Sequence, residues 1–482
     1  MTLTDRTRWF ALYVLCLGSL MIVLDVTIVN VALPSIRQSL GFSETSLAWV
    51  VNAYLLTFGG FLLLGGRLGD LLGHRRLFLG GIALFTVASL ACGLSTSKGF
   101  LIGARAVQGL GGAVASAVAL SLMMTLFTEP RDRAKAMGIF GFVASGGGSL
   151  GVLLGGVLTD LLSWHWIFLV NVPIGILVVL LTLRLIPGGP GTQQEGRLDV
   201  LGAVTVTGSL LLAVYAIVNG NQAGWTSART LGLLVAAAAL LALFGVIEGR
   251  VPAPLVPLRL LRKRNIAVSN VVGVLWAAAM FALFFLSALY LQLVLGYSPL
   301  QVGLAFLPTN LIMGAFSIGL SAKLVMRFGI RPPLTVGLGI ATIALALFAR
   351  VPVHGHFVPD VLPSMILLGI GAGMAFNPVL LAAMSDVSPL ESGLASGIVN
   401  TAFMMGGALG LAVLASAAAA RTKALGGASN LSALVGGYHL AFAVGATFAI
   451  AGATIGGVFL RASIAGRDGE EAAAGEPAHV TT

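Results

Sequence analysis

The stretch that decides the fold is residues 9–33, WFALYVLCLGSLMIVLDVTIVNVAL, in which Asp25 is the only charged residue. A helix of about 20 apolar residues spans the hydrocarbon core of a bilayer, so this stretch predicts a transmembrane helix. It continues past Asp25 without the small-residue pattern of a signal-peptide cleavage site. Apolar lengths of this kind recur from Phe10 almost to Leu460. We therefore expect a membrane protein with many spans.

The composition of the whole chain agrees with that expectation. Apolar residues make up 57% of the chain and charged residues only 9%, whereas soluble domains average about 25% charged. Transmembrane β-strands alternate in polarity, but these segments are continuously apolar, so the predicted fold class is an all-α membrane protein. The net charge of +10 comes from basic residues scattered between apolar segments, which argues against a nucleic-acid partner.

Apolar lengths interrupted by charged residues, Pro or Gly clusters predict fourteen transmembrane helices. The first six lie near residues 10–33, 47–66, 77–95, 100–127, 136–161 and 165–186. The other eight lie near residues 198–219, 230–248, 266–295, 300–325, 333–349, 361–385, 392–418 and 437–460.

Lys and Arg residues divide unequally between the two sides of these spans. Of the 27, 20 lie in the terminal segments and the loops on the same side, 6 lie in the opposite loops, and Arg105 alone lies within a span. Cytoplasmic loops are enriched in Lys and Arg. We therefore expect a multi-pass protein of the cell membrane, a monomer in the lipid bilayer, with both termini in the cytoplasm.

Two long links, residues 187–197 and 251–264, bracket helices 7 and 8 and divide the chain. The predicted parts are an N-terminal six-helix bundle (1–186), an inserted two-helix hairpin with its linkers (187–264), a C-terminal six-helix bundle (265–461) and a disordered tail (462–482). GRLGDLLGHRR (66–76) and AKLVMRFGIRP (322–332) occupy equivalent places in the two bundles. This match favours duplication into two pseudo-symmetric halves, although chance is the alternative for so short a match.

Asp25 is the only acid that can be placed deep within a predicted span. A carboxylate there costs roughly 2.5–3.5 kcal/mol, so it is normally retained for pairing, ion movement or substrate contact. At about 1.5 Å per residue, Arg105 and Asp25 lie near depths of about 9 and 13 Å below the outer surface, so they can pair. The alternatives are a carboxylate that only completes a hydrogen-bond network and an arginine bonded to helix-end carbonyls.

Six motifs carry a resemblance to a known family. They are LDVTIVNVALPSI (24–36), GRLGDLLGHRR (66–76), RAVQGLGGA (105–113), WHWIFLVNVPIG (164–175), LGYSPLQVGLAFLP (295–308) and SGLASGIVNTAFMMGGALG (392–410). In this order and on these helices, they resemble signatures of the major facilitator superfamily, and within it of the fourteen-helix drug:proton antiporters. The resemblance covers the whole membrane portion of the chain.

That resemblance implies two halves that open alternately to the two sides of the membrane. It implies export of hydrophobic or amphipathic small molecules, such as drugs or antibiotics, in exchange for protons. It also ties Arg105 to proton coupling, as a residue that modulates the proton affinity of Asp25, the expected proton carrier. Two departures are Val152 where the helix 5 signature has proline, and Leu71 where the loop 2-3 signature has a basic residue. Because of Val152, a proton symporter or facilitator of a small metabolite remains the alternative.

The loop between helices 2 and 3 predicts a gate latch. Gly66 and Gly73 would permit close helix approach and a tight turn, while Asp70 and Arg75 would form a charge-assisted contact at a neighbouring helix end. A loop that only fixes topology would explain Arg75 but not Asp70 with its flanking glycines.

Three glycines of helix 5, Gly147, Gly151 and Gly155, recur every four residues and form a smooth ridge. Such a ridge lets helices pack closely. A functional hinge and a simple packing motif both remain open.

Candidate substrate contacts are polar or adaptable apolar residues within the spans, since cavities for greasy compounds are mostly apolar with a few polar groups. The polar candidates are Asn30, Asn52, Tyr54, Asn310, Asn377 and Asn400, and the apolar candidates are Trp276, Phe281, Phe284, Phe285, Met404 and Met405. Ordinary packing is the alternative for each.

The acids of the second half predict the charge of the compound. Asp386 and Glu391 stand at the cytoplasmic ends of helices 12 and 13, so the second-half cavity has no deep carboxylate. We therefore expect neutral or monocationic compounds and about one proton per compound, because a buried dication facing one carboxylate stays half uncompensated.

The source of energy follows from what the sequence lacks. There is no GxxxxGK[ST] loop, so we expect a proton gradient, and no nucleotide or other cofactor, to drive transport. HGH at 354–356 offers too few ligands for a metal site. A membrane-embedded enzyme is a distant alternative, because it would need clustered nucleophiles, acids or metal ligands at one membrane face.

Overall fold

The computed structural model describes residues 5–127, 129–186, 199–252, 254–385, 387 and 391–460, and every regular element in them is helical. The predicted tail (462–482) and the first link (187–197) lie outside the described residues. The helices of 15 residues or more are α1 (Asp5–Leu40), α2 (Trp49–Leu72), α3 (His74–Gly93), α4 (Lys98–Leu126), α5 (Pro130–Leu161), α6 (Asn171–Leu185), α7 (Val200–Ala223), α8 (Ala228–Arg250), α9 (Arg264–Leu289), α10 (Pro299–Ala315), α11 (Arg331–Phe348), α12 (Leu362–Met384), α13 (Ser392–Ala424) and α14 (Leu431–Phe459).

Twelve helices within the described residues are long and apolar enough to cross a membrane. The predicted fifth and tenth spans do not meet both conditions, because their apolar helical parts are Leu150–Leu161 and Pro299–Ala315. The structure thus supports twelve of the fourteen predicted spans by this measure. As a helix, α5 has 32 residues, and α10 is followed by a kinked segment, Phe316–Leu320, and the helix Ser321–Phe328.

Several helices extend beyond the predicted spans. The first was expected over residues 10–33, but α1 begins at Asp5 and ends at Leu40. Hydropathy marks only the part of a helix that sits in hydrocarbon, whereas backbone hydrogen bonds continue the helix through polar residues such as Arg37 and Gln38. The predicted spans are therefore shorter than the helices that contain them.

Two glycines end helices at equivalent places in the repeat seen in the sequence. Gly73 follows α2 with φ 92°, and Gly329 follows Ser321–Phe328 with φ 80°. Residues with a side chain rarely adopt such positive φ angles, so glycine is the residue that fits a tight helix end here. The shared turn explains why these two glycines align.

Helix pairing in the first six helices recurs in the last six. In the first set α1 packs against α5 and α6, and α4 packs against α2 and α3; in the second set α9 packs against α13 and α14, and α12 packs against α10 and α11. Between the two sets, α5 packs against α10 and α2 packs against α13. The inserted pair α7 and α8 joins this seam, because α7 packs against both α2 and α13.

Candidate functional site

A buried ion pair joins the middle of α1 to the N-terminal part of α4. Asp25 has no exposed side-chain surface and Arg105 is 1% exposed. Arg105 Nη1 donates to Asp25 Oδ2 at 2.5 Å. The other carboxylate oxygen, Oδ1, accepts from Gln108 Nε2 at 2.6 Å and from Asn171 Nδ2 at 3.0 Å. The predicted pairing of Asp25 with Arg105 is therefore present in the structure.

Arg105 is held on several sides. Its Nε donates to the carbonyl oxygen of Val50, in the first turn of α2, at 2.9 Å. Its guanidinium lies 4.4 Å from the ring centre of Tyr54 and 5.5 Å from that of Phe168. Aromatic faces attract cations, more strongly when water is excluded. Tyr54, predicted as a substrate contact, thus contacts Arg105 here.

Gln108 completes the network and was not predicted from the sequence as a site residue. Its Oε1 accepts from Arg105 Nη1 at 2.6 Å, and its Nε2 donates to Ser89 Oγ at 2.8 Å as well as to Asp25. Gln108 stands three residues after Arg105, so the two share a helix face; that spacing within RAVQGLGGA is the signal that could have found it. With Ser89 of α3 and Asn171 of α6, the network joins α1, α2, α3, α4 and α6.

This arrangement stabilises an ionised Asp25 only while Arg105 stays in place. A buried carboxylate with a bonded arginine is tolerated, whereas removing one partner leaves an uncompensated buried charge, at about 3–5 kcal/mol. Separation of α1 from α4 would therefore leave both charges buried without their partner.

The glycine ridge of α5 lies against α1 beside Asp25. A Cβ added at Gly151 would lie 2.9 Å from the Leu24 carbonyl oxygen, and one at Gly155 would lie 2.7 Å from that of Ile28. At Gly147 the nearest atoms are side-chain carbons of α1 at 3.0 Å. Gly151 and Gly155 therefore allow close approach of the two helix backbones, and Gly147 leaves room for side chains of α1.

A second face of α5 makes an equally close contact with α10. A Cβ at Gly156 would lie 2.7 Å from the Pro299 carbonyl oxygen, and one at Gly303 would lie 2.9 Å from that of Val152. α5 thus packs closely against both the helix that carries Asp25 and α10 of the last six helices. Val152, the departure from the family signature, lies in this crossing.

Gly155→Ala is expected to destabilise the protein by about 1–3 kcal/mol, because the added methyl group meets a backbone carbonyl that moves only with α1. The matched control is Gly148→Ala on the same helix, whose added Cβ would find its nearest atom, Thr27 Cγ2, at 3.8 Å. Thermal unfolding in detergent measures both variants. Equal midpoints for the two would contradict the close α1–α5 packing.

The predicted latch is only partly visible. Arg75 Nη2 donates to the Leu183 carbonyl oxygen at 2.9 Å, so it contacts a neighbouring helix end, in the last turn of α6. The side chain of Asp70 lies outside the description. The close approach expected at Gly66 is wrong, because a Cβ added there would meet no atom within 4 Å. The Cα of Gly66 faces away from neighbouring helices. The spacing of residues within the motif does not show which way this glycine faces.

The predicted substrate residues are spread over several helix contacts. Trp276 and Asn400 line a small apolar crevice together with Phe376 and Phe403. Phe281 packs on Phe403, and Phe284 packs on Phe306. Met404 and Met405 lie against Gly59, Phe285 is buried, and Asn377 is half-buried. The Asn30 amide donates to backbone carbonyl oxygens of its own helix.

Four of these candidates have buried polar atoms without a hydrogen-bond partner among the described residues. They are both amide atoms of Asn52, Oη of Tyr54, Nδ2 of Asn310 and Nε1 of Trp276. Buried polar atoms are nearly always bonded, so each exception needs an explanation. No cluster of three or more potential metal-ligating side chains occurs in the described part of the chain.

Comparison with known proteins gives a consistent result. The family model described as Major Facilitator Superfamily matches residues 15–411. The chain is 40% identical over 451 residues to the puromycin resistance protein pur8 of Streptomyces alboniger, covering 92% of this chain and 89% of that protein. It is 40% identical over 416 residues to the cephamycin export protein CmcT of Amycolatopsis lactamdurans, covering 86% and 85%.

A solved structure shares the fold. A bacterial homolog of the human lysosomal transporter Spinster, in an inward-facing and unoccupied conformation, matches with a TM-score of 0.67 at 16% identity, over 95% of this chain and 98% of that one. At that identity the likeness concerns the arrangement of helices.

Proposed function

The chain belongs to the major facilitator superfamily, and on that premise we propose that it is a proton-coupled exporter of hydrophobic or amphipathic small molecules. Membership makes it a multi-pass membrane transporter and not an enzyme. The names of the two relatives, one a puromycin resistance protein and one a cephamycin exporter, support antibiotics or similar compounds as substrates. The finer assignment is the fourteen-helix drug:proton antiporter group.

The proposed topology is fourteen spans with both termini in the cytoplasm of the cell. The 32 residues of α5 and the continuation of α10 through Ser321–Phe328 support spans at these two places. The repeated helix pairing supports two six-helix bundles, 1–186 and 265–461, with α7 and α8 as an inserted pair. The excess of Lys and Arg supports the sidedness, and a monomer contains every residue of the Asp25 network.

The observation that carries the proposal is the buried ion pair of Asp25 with Arg105. In the proposed cycle, separation of α4 from α1 breaks the Arg105–Asp25 contact, and Asp25 binds a proton at Oδ2. Return of Arg105 makes the carboxylate the favoured form, and the proton leaves on the other side of the membrane. Compound moves in the opposite sense because each half-cycle opens the halves to one side only.

Gating and substrate contact are assigned to other parts of the two halves. The close glycine contacts of α5 with both α1 and α10 support its role in transmitting the movement of α1 to the last six helices. Arg75 on the end of α6 supports a latch at the loop after α2. The buried unpartnered atoms of Asn52, Asn310 and Trp276 support these residues as compound contacts.

Puromycin uptake into proteoliposomes tests antiport against symport. With the lumen acidic, an antiporter accumulates compound as protons leave, whereas a symporter accumulates it only when the lumen is alkaline. Protein-free liposomes correct for passive trapping of the compound. Accumulation in the alkaline lumen alone would overturn the proposal and favour the symporter alternative left by Val152.

A monocationic dye is expected to be transported much faster than a dicationic dye of similar size. The described carboxylates of α9–α14 and their connections are at helix ends, since Asp360 accepts from the His356 amide and Glu391 pairs with Arg259 at 2.7 Å. Asp386 lies outside the described residues. A dication facing Asp25 alone would remain partly uncompensated, which burial makes costly by several kcal/mol. Efflux of both dyes at equal rates from cells would contradict this.

A further inference from the structure

A second pair of buried acids lies where the inserted helices meet the rest of the protein. Asp199 caps the start of α7, and its Oδ1 accepts from the Gly202 amide at 2.7 Å. Glu248 stands in the last turn of α8, and its Oε2 accepts from the Val256 amide at 3.1 Å. Each residue is only 3% exposed. Both carboxyl groups are thus removed from water.

Each carboxyl group has one oxygen left over. Asp199 Oδ2 and Glu248 Oε1 are buried and find no donor among the described residues, yet the two carboxyl groups lie within hydrogen-bonding distance of each other. Ionised carboxylates are acceptors only, so two of them cannot bond unless a proton lies between them. One proton shared by Oδ2 and Oε1 would satisfy both atoms.

The surrounding charges do not replace that proton. Neither acid takes part in a salt bridge within the described chain; Arg259 and Lys263 of the following linker pair with Glu391 instead. Arg250 and Arg67 are exposed side chains that form no hydrogen bond with the pair in the described part of the chain, and Arg197 lies outside the described residues. Two adjacent buried carboxylates without a cation cannot both ionise, whereas the amide groups at the start of α7 stabilise a single negative charge.

The pair holds a linker that reaches the seam between the two halves. Through Val256, Glu248 binds the linker that follows α8. Leu255 of this linker packs with Leu64 of α2 and Ala203 of α7. Further along, Arg259 binds Glu391 at the start of α13. The linker therefore connects the inserted pair with α2 and α13, the helices that meet across the seam.

We propose that Asp199 and Glu248 form a proton-binding site, separate from Asp25, that fastens this linker to the inserted helices. The site holds one proton between Asp199 Oδ2 and Glu248 Oε1 and carries one net negative charge. When the proton leaves, the two carboxylates repel each other and the bond to Val256 weakens. Alkaline pH on that face of the membrane thus loosens the linker from α2 and α13.

Infrared difference spectroscopy of the full-length protein in nanodiscs tests the site. The expected spectrum of the wild type at neutral pH contains a protonated-carboxyl band that Glu248→Gln removes and Asp25→Asn retains. The matched control is Asp160→Asn, an exposed acid at the end of α5, which should leave the band unchanged. Loss of the band only in Asp25→Asn would overturn the proposal. Absence of the band from the wild type would also overturn it, and this is the result expected if Arg197 neutralises two ionised acids.

Thermal unfolding gives an independent readout. A proton bound in the folded state stabilises below the pH at which the folded site releases it, and that stability is lost as pH rises. The wild-type midpoint should therefore fall toward alkaline pH more than that of Glu248→Gln, whose amide can donate to Asp199 without a titrating proton. Parallel pH profiles of the wild type and Glu248→Gln, with Asp160→Asn as reference, would contradict a proton at this site.

Discussion

Asp25→Asn is expected to abolish accumulation of compound against its gradient while downhill exchange of labelled for unlabelled compound continues. Asparagine can accept the hydrogen bonds that Gln108 and Asn171 now give to Oδ1, but it does not bind and release a proton. Coupling is therefore lost although the halves can still alternate. Uptake into proteoliposomes with and without a pH gradient measures both activities.

The control for this change is Asp160→Asn, which removes an exposed acid outside the network and should retain full uphill accumulation. Uphill transport by Asp25→Asn at the wild-type rate would contradict the proton-carrier role. Loss of uphill transport and exchange together would show that Asp25 serves the structure of the site only.

Arg105→Gln is expected to lower stability by about 3–5 kcal/mol, because it leaves the Asp25 carboxylate buried without its cation. It should also lose uphill transport, because Arg105 is then not available to displace a proton from Asp25. The double variant Asp25→Asn/Arg105→Gln removes both charges. We expect its unfolding midpoint to lie above that of either single variant, while uphill transport stays absent.

This double-variant cycle separates folding from coupling. Recovery of stability without recovery of uphill transport agrees with an ion pair that couples protons. Additive losses of stability in the double variant would contradict a direct interaction between Asp25 and Arg105, and recovered uphill transport would contradict their role in coupling.

The pairing of Asp25 with Arg105 was predictable from their depths in the membrane. Charged residues are rare within the spans, so two opposite charges at similar depth are expected to pair. Asp25 and Arg105 were found in this way. Gln108 and Asn171 were missed because uncharged amides occur in many spans, and only the rotation of α4 and α6 shows which ones face Asp25. The same limit explains Tyr54, whose ring faces Arg105 although its sequence position suggested a compound contact.

Helix contacts were harder to predict than helices. The ridge of Gly147, Gly151 and Gly155 shows that a smooth face exists, but its partner, α1, follows only from the fold. Gly66 shows the reverse, a glycine that contacts no neighbour. The acids Asp199 and Glu248 are 49 positions apart in the sequence. Nothing in the sequence around either residue indicates that the start of α7 and the end of α8 bring the two carboxyl groups together.

Compound-driven proton movement tests the central claim most directly. Proteoliposomes are loaded with an acidic buffer and a trapped pH-sensitive dye, and puromycin is then added outside. The predicted result is a rise in lumenal pH with the wild type and with Asp160→Asn, and no rise with Asp25→Asn. An equal rise in lumenal pH with Asp25→Asn would contradict proton coupling through the Asp25–Arg105 pair.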